Sequence, residues 1–200
     1  MWHPVKYEDI HDKSKIIRSL FLKVKRDGTL KARLVADGRM QDRNNDQDVS
    51  SPTIATESLF TLAAVFAAER RRVVTVDIEG AFLHGVMTSE IYMEISGQGL
   101  DVLLYNYESI YHGMVYNDKV YVRLDRALYG TIEAAKVWYD TLSTYLMKLG
   151  FRANPRDECV FNMHYEGRQL TILLHVDDLM ISCEYQSAID YAITCLNKCD

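Results

Sequence analysis

The sequence predicts an α+β fold, in which antiparallel strand pairs are combined with amphipathic helices. Two hairpin patterns support this prediction, one around Asp27-Gly28 and one around Glu166-Gly167. Two stretches with apolar residues three and four positions apart, 56–70 and 129–149, indicate helices. The chain has 200 residues, of which 48% are hydrophobic and only three are prolines, so it suits one globular domain with a sizeable core.

Charge is distributed unevenly along the chain, whose net charge is −5. Residues 1–43 carry eleven Lys and Arg against six Asp and Glu, so the acidic excess lies entirely in the remainder. A basic segment of this kind can hold phosphates, and a solvated charged surface explains it equally well.

The cysteines and the hydropathy pattern indicate an intracellular protein. Cys159, Cys183, Cys195 and Cys199 form no C-x-x-C pair and have no histidine at zinc-ligand spacing, so we expect free thiols in a reducing compartment. The sequence contains neither a run of about 18 apolar residues nor the layout of a secretory signal.

The N-terminal half reads as a hairpin, a loop and a helix. Leu20 through Val35 alternates in strand fashion around Asp27-Gly28, and the polar segment 42–52 predicts a loop. The helix that follows has Thr56 or Ser58 available as its N-cap.

The C-terminal half alternates strands and helices. The β-branched run "RVVTVDI" predicts a strand buried on both faces that ends at Asp77, and "EIYMEIS" and "KVYVRL" predict further strands. Residues 101–118 show no clear period. The second helix should contribute Trp138 to the core and end at Gly150. After the second hairpin, "DDLMISC" predicts an extended run, and a last helix begins near Gln186.

Carboxylates stand at two strand ends. Asp177 and Asp178 interrupt the apolar run "TILLHVDDLMIS", which suits a tight turn better than a regular ladder, where neighbours point to opposite faces. A buried carboxylate without a partner is costly, whereas Mg²⁺ binds carboxylate oxygens and neutralises them. Asp77 is the natural third member of such a cluster. A surface turn is the alternative interpretation of the doublet.

Five segments occur in an order and at a spacing that resemble the reverse transcriptase of copia-type LTR retrotransposons. They lie between about Phe21 and Cys183, and they are "KARLVADGRMQ", "VDIEGAFLHG", "EIYMEI", "LYGTIEAAKVWY" and "HVDDLMIS". The resemblance implies a right-hand polymerase fold with a fingers hairpin and a palm, in which an antiparallel sheet packs on helices.

The resemblance implies a role for each acid. Asp77 and Asp177 would be ligands of two Mg²⁺ ions, with Asp178 the adjacent carboxylate and the backbone of Ile78 also near a metal; Mn²⁺ is the alternative ion. All three acids are thus candidate catalytic residues.

Substrate contacts also follow from the resemblance. Lys31 and Arg33 would bind the incoming triphosphate, and Phe82 would exclude a ribose 2′-hydroxyl unless it is a plain core aromatic. Ala81 and Glu133 complete the predicted deoxynucleotide site.

Four positions depart from the family pattern. Glu133 stands where glutamine is typical, Ala135 where proline is frequent, Asp37 where a basic residue is common, and His175 where an aromatic residue precedes V-D-D. The first places an anion where a triphosphate is expected.

By this resemblance, residues 1–200 form one reverse transcriptase-like domain without a thumb. Residues 1–72 would be mainly fingers, and residues 73–200 mainly palm, with a fingers insertion around 86–125.

The resemblance predicts an RNA-directed DNA polymerase that extends a primer on RNA or DNA with deoxynucleoside triphosphates. Its partners would be the primer–template and the remaining Pol domains (thumb, RNase H and integrase), without a membrane. It would act in the cytoplasm, in a virus-like particle, or in the nucleus. The alternatives are an inactive or truncated remnant that at most binds nucleic acid, and a two-metal nuclease.

Overall fold

The computed structural model describes residues 1–26, 28–41 and 49–198; for residues 22–26 and 29–31 it describes the backbone alone. The fold is mixed, with two five-stranded sheets and four α-helices within these ranges. The α+β class is therefore confirmed. None of the helices in the described ranges combines the length and the hydropathy that crossing a membrane requires.

The chain divides into two compact units, each built from two separate segments. The first unit comprises Met1–Val49 and Gly85–Val137. The second comprises Ser50–His84 and Trp138–Asp200. The helix that precedes residue 72 packs on the sheet of the second unit.

The first unit contains a five-stranded sheet with one parallel pair. In spatial order its strands are β1 (Trp2–Val5), β6 (Lys119–Leu124), β5 (Tyr92–Ser96), β2 (Ile16–Arg26) and β3 (Thr29–Ala36). Strands β2 and β5 run parallel, and the other neighbours are antiparallel. The predicted hairpin is the β2–β3 pair, whose register runs from Ser19 opposite Ala36 to Arg26 opposite Thr29. Asp27 lies outside the described residues.

Helix α2 (Gly97–Tyr111) occupies a region in which the sequence shows no clear period. Only one side of it is buried, through Gly99, Leu100, Leu103 and Tyr111. Its opposite side exposes large apolar residues, among them Tyr105 at 90%. The helical period is masked because aromatic side chains lie on both sides, and the helix is kinked at Tyr107.

The second unit is an antiparallel sheet covered by helices on both faces. In spatial order its strands are β4 (Arg72–Asp77), β10 (Asp178–Cys183), β9 (Arg168–His175), β8 (Asp157–Tyr165) and β7 (Arg152–Asn154). Helices α3 (Ala134–Lys148) and α4 (Gln186–Leu196) bury the main core, which includes Trp138, Leu142, Phe161, Ile172 and Ile189. Helix α1 (Thr56–Ala68) packs on the other face, where Phe66 meets Val160 and Leu173.

Strand β4 is not buried on both faces, contrary to the prediction. It is the edge strand of its sheet: Val74 and Val76 face the main core, whereas Val73 is 46% exposed and Thr75 is also exposed. The β-branched run misled the prediction because such residues favour any pleated surface, at an edge as well as in the centre.

Most helix and turn predictions of this unit are confirmed, with one error at a cap. Helix α3 ends with Gly150 at φ 100°, and the amide of Phe151 donates to the carbonyl of Leu146. Helix α1 has Ala55 as its N-cap instead of Thr56 or Ser58; the Ala55 amide donates to Asp157 Oδ2 at 3.0 Å.

The cysteines of the described residues are free thiols, as predicted for Cys159, Cys183 and Cys195; Cys199 lies outside those residues. Cys159 is fully buried, and burial raises the pKa of its thiol to about 12. A thiol with this pKa is an inert core residue at neutral pH.

Two glycines in the first unit allow a very close approach of two backbones. Gly38 follows β3 and Gly130 precedes α3, and the amide of Ala36 donates to the carbonyl of Tyr129 at 2.9 Å. A Cβ on Gly38 would lie 2.1 Å from the Gly130 carbonyl oxygen, and one on Gly130 would lie 2.1 Å from the Ala36 carbonyl oxygen. The segments "VADG" and "LYG" thus interlock through positions where no side chain fits.

We expect Gly130→Ala to lower the free energy of unfolding by about 3 kcal/mol, because the clash is with backbone and φ is 99°. Denaturant unfolding would measure it. Gly113→Ala is the matched control, since no atom lies within 4 Å of the added Cβ. Equal stabilities of the two variants would contradict the interlock.

Candidate active site

Asp77 and Asp178 lie directly opposite each other at one end of the second sheet. They are Cα partners in the antiparallel β4–β10 pair, so their side chains share a face. The Ile78 amide donates to the Asp177 carbonyl at 3.4 Å. This bond joins the residues that flank the Asp77–Asp178 pair, so the pair itself is of the non-hydrogen-bonded type. Cα atoms are about 4.5 Å apart at such positions, and the side chains are at their closest.

The next residues along the same face show why these acids are accessible. Two residues further along the strands, the same face carries Thr75 on β4, Met180 on β10 and Leu173 on β9. Met180 and Leu173 pack against α1. The acids and His175, the partner of Asp178 on β9, lie beyond the helix and are exposed.

Asp177 lies in the two-residue turn between β9 and β10, as predicted, whereas Asp178 is the first residue of β10 and pairs within the ladder, contrary to the prediction. Val176, the other turn residue, has φ 59°, and Asp177 does not share this left-handed conformation. A positive φ at only the first central residue is the pattern of a type II′ hairpin turn, in which glycine is usual. A β-branched residue there is strained by about 1–3 kcal/mol.

Among the residues that the structure describes, the three carboxylates have no partner that would neutralise them. Within the described ranges no hydrogen bond or ion pair involves the side chains of Asp77, Asp177 or Asp178. Like charges opposite each other on a sheet repel, and a divalent cation relieves that repulsion. Carboxylate oxygens are the ligand type that a hard metal ion takes. The side chains of the described residues do not, however, form a group of three or more His, Cys, Asp or Glu placed to hold one.

The backbone of Ile78 is already engaged on both sides. Its amide donates to Asp177, and its carbonyl accepts from the Ala81 amide at 3.2 Å. The second lone pair of that carbonyl remains available to a ligand.

Ala81 and Phe82 lie in the short 3₁₀ helix Ala81–His84 that follows β4. Ala81 is 4% exposed and belongs to the main core. Phe82 is half-buried and packs against the same core, in agreement with the plainer interpretation of this residue. Any contact that Ala81 makes with a ligand would involve its backbone.

Trp138 contacts the turn formed by Val176 and Asp177, which we call the acidic turn. The sequence did not reveal this contact. Its prediction as a core residue is confirmed, since it is 1% exposed, but its Nε1–H also donates to the Val176 carbonyl at 2.7 Å. The available signal was chemical: a buried indole N–H needs an acceptor.

Comparison with known proteins identifies the chain. The sequence profile described as "Reverse transcriptase (RNA-dependent DNA polymerase)" matches residues 11–198. The chain belongs to the reverse transcriptase family. Its resemblance to the reverse transcriptases of copia-type retrotransposons is confirmed, and by family resemblance it is a nucleotidyltransferase domain.

Relatives of this reverse transcriptase domain include polyproteins of yeast transposons. It is 31% identical to the truncated transposon Ty1-A Gag-Pol polyprotein of Saccharomyces cerevisiae, with 98% of this chain and 15% of that protein covered. The transposon Ty1-DR5 and Ty1-DR1 Gag-Pol polyproteins of the same yeast are also 31% identical to it. In each case 98% of this chain and 10% of the polyprotein are covered. The chain thus spans a small part of these relatives.

Two reverse transcriptase positions that depart from the family pattern have local structural roles in the first unit. Glu133 accepts hydrogen bonds from Gln41 Nε2 at 2.8 Å and from the Ser89 hydroxyl. Asp37 is buried, and the Arg39 guanidinium forks onto both its oxygens at 2.8 Å, which holds the pKa of Asp37 below its usual range.

The other predicted residues have simpler surroundings. Ala135 lies in the first turn of α3, where proline and alanine are both tolerated. Arg33 is exposed on β3. Lys31 is on the same strand, and its side chain lies outside the described residues.

We expect Val176→Gly to raise the free energy of unfolding by about 1 kcal/mol, because relief of the positive-φ strain exceeds the backbone entropy that glycine adds. Val73→Gly, on a regular and exposed strand position, is the matched control and should lower it by about 1 kcal/mol. Chemical denaturation measures both. Equal losses would show that the turn is not strained.

Proposed function

We propose that the chain is the fingers and palm part of an RNA-directed DNA polymerase, with the first unit as fingers and the second as palm. One observation carries the proposal: a family acidic motif ends one strand at Asp77, and the V-D-D motif begins the neighbouring strand directly opposite. Two acids a hundred residues apart in sequence are thereby adjacent on one exposed sheet end.

In this proposal Asp77 and Asp177 hold two Mg²⁺ ions, with the Ile78 carbonyl as a further ligand, and Mn²⁺ can replace Mg²⁺. Bound ions of this kind activate a hydroxyl and stabilise a leaving pyrophosphate. The exposed position of the acids beyond α1 supports access for a primer end. Asp178 adds negative charge beside both ligands and strengthens cation binding.

The resemblance to the family also suggests contacts with the deoxynucleoside triphosphate. Lys31 and Arg33 would hold its phosphates, and Arg33 is exposed as this requires. Phe82 would limit the sugar to a deoxyribose from its half-buried place, with the Ala81 backbone beside it. Glu133 would act indirectly, because its carboxylate is engaged by Gln41 and Ser89.

The partners follow from the same proposal. They are an RNA or DNA primer–template, deoxynucleoside triphosphates and the thumb, RNase H and integrase domains of a longer Pol protein. Synthesis would take place inside the cell, in a cytoplasmic particle or in the nucleus.

We expect the purified chain to extend oligo(dT) on poly(rA) with Mg²⁺, and Asp177→Asn to reduce extension at least about 100-fold, since it removes a charged metal ligand. Incorporation of labelled dTTP measures the effect.

Asp190→Asn provides the matched control for this substitution. Asp190 is an exposed acid on α4 of the same unit and should leave incorporation unchanged. Wild-type rates in Asp177→Asn would defeat the proposal.

The second candidate function is an inactive remnant that at most binds nucleic acid, and Glu133 is the residue that favours it. We expect instead an active chain in which Glu133→Gln changes incorporation little and lowers stability by about 1 kcal/mol, because Gln41 and Ser89 donate to different oxygens of Glu133 and an amide keeps only one oxygen. Primer extension and denaturant unfolding measure the two effects.

Ser89→Ala, which removes one of these donors, is the control for the stability effect. No incorporation by either the wild type or Glu133→Gln, together with no Mg²⁺ binding by calorimetry, would establish the remnant. A large gain in Glu133→Gln would show an intact site that this glutamate impairs.

A further inference from the structure

Trp138 makes the only side-chain hydrogen bond to the acidic turn among the described residues. It is one of two tryptophans in the chain, it is 1% exposed, and its indole N–H donates to the Val176 carbonyl at 2.7 Å. A distance of this size is that of a well-formed hydrogen bond.

This hydrogen bond acts on a strained peptide. The carbonyl of Val176 belongs to the peptide bond that leads into Asp177, and Val176 itself has φ 59°. A strained conformation persists only where its surroundings hold it. Because the donor is fixed in the core, the bond determines the orientation of that peptide plane and hence the direction in which the Asp177 side chain leaves the backbone.

The same indole also touches the segment that follows the other acid. The His84 ring lies 5.9 Å from the Trp138 ring, centroid to centroid, at an interplanar angle of 45°. His84 ends the 3₁₀ helix after β4, and its Nε2 lies 3.4 Å from the Glu79 carbonyl, two residues beyond Asp77. One buried side chain therefore supports both acidic segments.

We propose that Trp138 is a positioning residue that sets the place of the Asp177 carboxylate relative to Asp77. The inference rests on the proposed function for its catalytic meaning. Trp138 touches neither metal nor substrate; it acts through the Val176 carbonyl. Groups that orient metal ligands in this way typically change metal affinity or activity by about 10–100-fold when they are lost.

The test compares Trp138→Phe with wild type in three measurements. The Ile78 amide, which donates to the Asp177 carbonyl, should exchange with deuterium at least about 10-fold faster, because the turn is no longer held. Mn²⁺, the probe ion, should bind at least about 10-fold more weakly by calorimetry. In primer extension kcat should fall while KM for dTTP stays within twofold, because triphosphate contacts are intact.

Two controls separate positioning from general damage. Tyr139→Phe removes a bond of the same kind from the adjacent residue, whose hydroxyl donates to the Glu158 carbonyl at 3.0 Å. Leu142→Ala opens a cavity at a fully buried position one turn along α3. Neither should change Ile78 exchange relative to global unfolding, or Mn²⁺ affinity.

Rescue gives the sharpest outcome. Val176→Gly in the Trp138→Phe background should recover Mn²⁺ affinity, because glycine adopts the left-handed conformation without support. If Trp138→Phe does not fold, benzothienylalanine at position 138 in a Trp2→Phe chain keeps the ring shape and removes only the N–H.

Unchanged Ile78 exchange in the variant without the N–H, or an equal effect from Leu142→Ala, would overturn the proposal. A wild-type chain that neither binds Mn²⁺ nor extends a primer would instead refute the proposed function, and Ile78 exchange would still decide whether Trp138 holds the turn.

Discussion

The register between β4 and β10 is the constraint on which the candidate site depends. Apolar pairs set it: Val76 lies opposite Leu179 and Val74 opposite Ile181, and all four residues face the main core. A slip of one residue would turn these side chains outward and bury the acids, at a cost of several kcal/mol. The position of the carboxylates is therefore a consequence of hydrophobic burial on the opposite face of the sheet.

The same sheet explains how one end can be chemically active while the rest is inert. Helix α1 packs on Met180 and Leu173, and the acids are not part of this packed cluster. The acids therefore gain solvent and ligand access without any gap in the core. The turn with the strained Val176 is held by the hydrogen bond from Trp138.

Sequence reasoning predicted those parts of the fold in which local and long-range preferences agree. The two hairpins, α1, α3, α4 and the turn at Asp177 have clear periods and turn residues, and the structure contains them. Helix α2 was not predicted, because its exposed aromatic residues obscure the helical period. The edge position of β4 was not predicted, because it depends on the order of the strands, which the sequence of one strand does not encode. Of the site, the acids could be predicted from their strand ends, whereas the Trp138 contact depends on a helix 38 residues away in sequence.

The departures from the family pattern have different meanings once their surroundings are known. Asp37 is paired with the Arg39 guanidinium, whereas Glu133 accepts hydrogen bonds from the neutral side chains of Gln41 and Ser89. A residue that departs from a motif can thus have a defined role in the hydrogen bonding around it.

The interleaved construction of the two units has a consequence for synthesis on the ribosome. The sheet of the first unit cannot be completed until β6 has emerged, because two of its five strands, β5 and β6, lie in the second of its two segments. The second unit waits longer still, since β4 leaves the ribosome about a hundred residues before its partner β10. The nascent chain must therefore keep an apolar edge strand unpaired for several seconds at ordinary elongation rates, so folding of this domain is expected to depend on protection by chaperones.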